Sequence, residues 1–275
     1  MLKTVLARLG AAVIKPELVF LALAIPFGIF SAIAVPQLKV ADENMHFLKA
    51  YNLASAQLGA HNCHYPKMVE QRAASIYQGN FDTDLAKVDF QDTVSATCGS
   101  AASYSPIMHM SQAVGIFIAK LIHPSTGVMI LLGRLANLAF FVAAVYYIIK
   151  KVRIGKWVFA VIALFPLSIH MAASLSSDAM NNVIVMAFIA FVFNLFIQKK
   201  QATNRELIVL TVLSGALALT KATNIVLLFM LPFLPANLFG KSRFAGLLNA
   251  KKWTVVAICA AFSALCLVGW QKIYG

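Results

Sequence analysis

The chain has 275 residues, 60% of them hydrophobic and only 12% charged, and its mean hydropathy is +0.79. That composition excludes an ordinary soluble domain and points to a polytopic membrane protein. A formal net charge of +13 would suggest nucleic acid in a soluble protein. Here the basic residues gather at the ends of apolar stretches, where membrane topology accounts for them, and no basic-aromatic groove accompanies them.

The first apolar stretch, residues 18–36, has about the 20 residues a helix needs to cross a bilayer. It is longer than a signal-peptide core and no small-residue cleavage site closes it, so it reads as an uncleaved span. Residues 37–127 then form one large outer loop. Within it, 42–58 reads as a helix: Phe47, Tyr51, Ala54 and Leu58 share an apolar face, and Asp42 and His46 share another. Residues 61–103 read as a polar, ordered surface loop. Cys63 and Cys98 lie there and are a candidate disulfide in an oxidising compartment, the alternative being two unpaired thiols.

Residues 106–122 are apolar and nearly long enough to span, yet they carry His109, Ser111, Gln112 and Lys120 and run into His123-Pro124. Further spans are expected at 129–149, 157–173, 179–197, 208–220, 225–239 and 255–270. Charge decides how 106–122 is read. If it lies along the surface, Lys3, Arg8 and Lys15 share the inner side with Lys150–Lys156, Lys199–Arg205 and Lys241–Lys252, as the positive-inside rule requires. If it spans, Lys150 to Lys156 face outward. The fold expected is therefore all-α and polytopic, with seven transmembrane helices and the N-terminus inside. Two interfacial amphipathic helices ride in the first outer loop. One domain covers 1–275: a span at 18–36, the outer loop at 37–127 and six spans within 128–271.

That topology brings unusual polar residues to one outer face. They are Asp42, Glu43 and His46; Tyr104, Ser105 and His109; Arg134 and Asn137; His170; Asp178, Asn181 and Asn182 with Ser176-Ser177; and Lys221 in a short hairpin. Ionisable groups at membrane depth are costly and mark function. Each also has a plainer reading. Asp42-Glu43 would cap a helix, His46 would pair with Asp42, and Asp178 would be an N-cap. Arg134 would anchor an interface or neutralise an inward-facing acid, and Lys221 would snorkel.

The strings Asp42-Glu43-x-x-His46-Phe47-x-x-Ala50-Tyr51, Tyr104-Ser105-Pro106, Gly133-Arg134-Leu135-Ala136-Asn137 and Ser174-Leu175-Ser176-Ser177-Asp178-Ala179-x-x-Asn182 resemble a bacterial multi-pass membrane family carried as a domain of unknown function. The likeness runs from about residue 36 to 239. That family in turn is similar to the GT-C glycosyltransferases in its large first outer loop with an early acidic residue. The resemblance implies sugar transfer from a polyprenyl-phosphate donor to an envelope polysaccharide acceptor, on the outer face of the inner membrane. It makes Asp42 or Glu43, with His46, the acid/base group. Arg134 and Lys221 would hold the phosphate, and Tyr104, His109, Asn137, Asp178 and Asn182 would line the substrate site.

A divalent metal on Asp42, Glu43 and Asp178 would suit hard oxygen donors. A flippase or transporter of lipid-linked sugar would use the same cations without a base. A membrane scaffold would need neither.

Overall fold

A computed structural model describes residues 15–57, 62–77, 87–89, 92–97, 104–240 and 249–274. Helix α1 (Pro16–Ala34) opens with a proline at its first position, where a missing N–H is harmless. Helix α2 (Glu43–Ala54), strand β1 (Asn62–Pro66), helix α3 (Lys67–Tyr77) and strand β2 (Thr93–Thr97) follow. A 3-10 turn (Pro106–His109), capped by the Ser105 hydroxyl, leads into α4 (Met110–Ile122). Then come α5 (Thr126–Lys151), α6 (Lys156–Ala163), α7 (Pro166–Ala172), α8 (Asp178–Phe196) and α9 (Asn204–Thr220). Two 3-10 stretches, Ala222–Phe233 and Ala236–Phe239, precede α10 (Ala250–Tyr274).

The described residues are thus those of an all-α membrane protein with a minor sheet. Among the described residues, four helices are long and apolar enough to cross a bilayer: α1, α5, α8 and α10. Helix α5 has 26 residues, about 39 Å at 1.5 Å per residue, which exceeds the hydrocarbon thickness. The other expected spans take different forms. The 157–173 stretch is two short helices, because Pro166 starts a new helix and cannot donate into the old one. The 225–239 stretch is 3-10 backbone carrying Pro232 and interrupted at Leu234 and Pro235. The 208–220 stretch is the body of the 17-residue α9, with a Thr203/Glu206 capping box at its start.

The loop after α1 is more structured than its polar sequence suggests. β1 and β2 pair antiparallel, Cys63 opposite Ala96, and α3 packs Val69, Ala73 and Ile76 into the core beside Phe47, Tyr51 and Tyr65. That core rests on Ile116 and Ala119 of α4 and on Met129 and Ile130 of α5. A second core joins α1, α5, α6, α7 and α8 around Phe20, Phe141 and Phe159. A third joins α8, α9, the 3-10 stretches and α10 around Phe188, Leu217 and Leu231.

Lipid is as apolar as leucine, so close backbone approach rather than water exclusion holds such helices together. Gly115 shows this: a Cβ there would stand 2.1 Å from the Leu132 carbonyl oxygen of α5. Large apolar side chains such as Phe27, Phe30, Phe229 and Leu265 are exposed, as a lipid-facing surface requires.

Candidate functional site

The site forms where the end of α1, the start of α2, the loop between α7 and α8, and the turn after α9 converge. Its frame is an ion pair. Arg134 of α5 and Glu43 of α2 are both fully buried. Arg134 Nε donates to Glu43 Oε1 at 2.8 Å and Nη2 to Oε2 at 2.5 Å. The remaining donors go to the Ala32 and Val35 carbonyls from Nη1, and to the Pro36 carbonyl from Nη2. All five N–H groups of the guanidinium are therefore taken, three of them by the free carbonyls that end α1.

Glu43 Oε1 also accepts the Leu175 backbone N–H at 3.0 Å. The pair thus ties α1, α2, α5 and the α7–α8 loop together. No N–H of Arg134 remains for a phosphate, and both oxygens of Glu43 are engaged. The Arg134 expected to bind phosphate and the Glu43 expected as acid/base are here engaged with each other.

Asn137 belongs to the same frame. Its amide donates to the Ser174 and Ser176 carbonyls at 2.9 and 3.2 Å and its oxygen accepts the Ser111 hydroxyl at 2.8 Å. Gln112 Nε2 donates to the Leu175 and Ser176 carbonyls. A buried loop needs every backbone group satisfied, and Glu43, Asn137 and Gln112 supply that. The loop delivers Asp178, the first residue of α8, whose N–H is capped by the Ser176 hydroxyl at 3.2 Å.

Asp178 Oδ1 lies 2.7 Å from Lys221 Nζ, and both side chains are more than a third exposed, at 36% and 38%. Asn224 braces the turn, donating to Asn181 Oδ1 at 2.7 Å and Thr220 Oγ1 at 2.8 Å. The Asn182 side chain makes no hydrogen bond to other described residues and is half-buried.

Beside this pair, His46 Nδ1 and His109 Nε2 are 2.9 Å apart. His46 is buried, His109 completely so, and the Tyr104 ring stacks on His46 at 5.8 Å. Burial holds the His46 pKa below its ordinary value, against the opposing pull of Asp178, Asp42 and Glu43. It pushes His109 well below, helped by His46 and Lys49. Both rings are neutral at pH 7, so one proton lies between them. His109 Nδ1 is buried without a partner among the described residues. A stranded lone pair is tolerated more readily than a stranded N–H, so His109 Nε2 donates and His46 Nδ1 accepts. That assignment leaves His46 with an N–H at its other nitrogen.

Asp42 is exposed and left-handed, with φ at 57°. Its carboxylate makes no capping bond to α2, although it stands at the N-cap position. Strained non-glycine backbone tends to mark functional positions. The structure therefore separates the adjacent acids: Glu43 is inside and spent, Asp42 is outside and open.

Two contributors escape sequence reading. Lys49 is buried, with its ammonium 5.8 Å from the Trp270 ring centre and its pKa lowered by burial. Asn224 carries no signal beyond lying near Lys221.

The proposed metal set does not assemble. Glu43 is used by Arg134, and no group of three His, Cys, Asp or Glu stands together among the described residues. The disulfide candidate falls on the Cys63 side chain and on Cys98, which lie outside the described residues.

Over residues 25–274 the chain matches the model of a family described as "Predicted membrane protein (DUF2142)". No curated protein and no solved structure matches it.

Proposed function

The chain belongs to the DUF2142 family of predicted membrane proteins, and we propose that it is a GT-C-type glycosyltransferase. In this reading it moves a sugar from a polyprenyl-phosphate donor to a cell-envelope acceptor, on the outer face of a bacterial inner membrane, with its N-terminus inside and seven membrane passages. The observation that carries the reading is that the open Asp178–Lys221 pair and an exposed Asp42 that makes no cap both lie close enough to His46 to act on its charge.

The chemistry asks for a base and a cation. Asp42 takes the proton of the acceptor hydroxyl as that oxygen bonds to the sugar's anomeric carbon. The bond from that carbon to the phosphate oxygen breaks, and the electron pair leaves with the phosphate. Lys221 neutralises the departing charge, having exchanged Asp178 for the phosphate. A lysine suits this exchange, because its ammonium is a mobile point charge on a flexible stem. The His46 N–H donates to an oxygen of the bound donor, and the Tyr104 ring keeps the imidazole in place. Arg134, Glu43 and Asn137 position the loop and touch no substrate.

A transfer assay with a labelled polyprenyl-phosphate sugar tests this. Asp42→Asn is expected to abolish product while leaving donor binding intact, and Lys221→Ala to lose both. Lipid-linked sugar crossing vesicles unimpaired in Asp42→Asn would identify a flippase instead. Full function in every variant would identify a scaffold.

A further inference from the structure

At the far end of the helices from this site lies a cavity of about 520 Å³, lined by Arg153, Gln198, Lys199, Lys200, Gln201 and Glu206 among others. Its end of the molecule follows from contacts already described. Arg134, in the first half of α5, meets the end of α1, and Asp178, at the start of α8, meets the end of α9. The close of α5, the close of α8 and the start of α9 are therefore at the opposite end.

The cavity is built, not a loose fringe. The Asn194 amide donates to the Lys151 carbonyl at 3.1 Å and its oxygen accepts the Arg153 N–H at 2.8 Å, fixing the α5–α6 turn to the end of α8. Ala202 N–H donates to the Leu238 carbonyl at 2.9 Å, fixing the other wall. Glu206 is occupied by the capping box: its Oε2 accepts the Thr203 N–H and hydroxyl at 2.7 and 2.9 Å. Glu206 keeps its negative charge and faces Arg153, while Lys199 and Lys200 form no ion pair among the described residues.

Three cations against one carboxylate leave the cavity with a net positive charge, which calls for an anion. What surrounds it selects the source. Ile197 forms part of the wall, and Phe196, Trp157 and Val158 are exposed next to it on α8 and α6, helices that pack through a Phe159–Phe193 edge contact at 6.3 Å. An apolar face running into a cationic cavity matches an acyl chain running into a phosphate headgroup. We infer that this cavity is a binding site for the headgroup of an anionic phospholipid, with its acyl chain lying against Trp157, Val158, Phe196 and Ile197. The inference stands independently of the transferase reading. A bilayer leaflet rich in anionic lipid attracts basic clusters of this kind.

The full chain, purified in neutral detergent, is titrated with short-chain phosphatidylglycerol, with phosphatidylcholine and with inorganic phosphate, and retained lipid is read by native mass spectrometry. Phosphatidylglycerol is expected to bind saturably and in preference to phosphatidylcholine, without displacement by equimolar phosphate. Arg153→Ala, Lys199→Ala and Lys200→Ala each lower its affinity about fivefold, and the triple variant about a hundredfold. Arg205→Ala, at the same end but not in the cavity wall, leaves it unchanged. Equal retention of both lipids overturns the inference, as does a preference that survives the triple variant. Displacement by equimolar phosphate overturns the lipid source and leaves a free-phosphate site. Unchanged far-ultraviolet circular dichroism of the triple variant guards against loss through misfolding.

Discussion

Glu43 and Arg134, 91 residues apart in sequence, meet through two parallel hydrogen bonds of 2.8 and 2.5 Å with neither side chain open to solvent. Breaking one side of such a pair strands the other charge, which typically costs 3–5 kcal/mol, whereas replacing both partners by apolar groups is far milder. Arg134→Met and Glu43→Leu are each expected to lower the unfolding midpoint sharply, and the double variant to recover much of the loss. Thermal unfolding in detergent reads this. Arg134→Met unfolding like wild type would refute the framing role.

The paired histidines give a pH dependence with a definite sign. Burial depresses both pKa values from the ordinary 6.5. As pH falls through 6.5, the unfolded chain takes up protons that the folded pair refuses. Stability is therefore fully present above that value and declines below it. The midpoint is expected to drop between pH 7.5 and pH 5.5, and His109→Gln to flatten the drop. A wild-type midpoint insensitive to pH in that window would contradict the buried, neutral dyad.

Two glycines separate packing from propensity. Gly115→Ala forces a methyl against the Leu132 carbonyl, where a Cβ would stand 2.1 Å away. Backbone cannot swing aside as a side chain does, so a loss of about 1–3 kcal/mol is expected. Gly269 in α10 has nothing within 4 Å of its Cβ position, and Gly269→Ala should be neutral or gain up to about 1 kcal/mol of helix propensity. Parallel melting curves of the two variants check the contrast.

Long apolar runs were legible in the sequence because hydropathy alone marks them, hence the close agreement at α1, α5 and α8. Pro166 and Pro232 stood in view within the expected spans 157–173 and 225–239, yet composition outweighed them. The β1–β2 pair was not legible: a five-residue strand with a partner some thirty positions on leaves little local pattern. Asp42, His46, His109, Asp178 and Lys221 lie near one another, a grouping that the polar strings flanking the apolar runs suggested. The roles of Arg134 and Glu43 were not legible, since a sequence shows a charge but not its partner. Neutralisation of an inward-facing acid was the plainer reading of Arg134, and it is the one the geometry supports.

The central claim is that Lys221 is a phosphate-binding cation held ready by Asp178, and donor binding measures it most directly. Saturable binding of polyprenyl phosphate to the purified chain is expected to disappear in Lys221→Ala and to tighten several-fold in Asp178→Asn, where the competing carboxylate is gone. If Asp178→Asn and Lys221→Ala weaken binding alike, or neither changes it, the ion pair is structural and the phosphate site lies elsewhere.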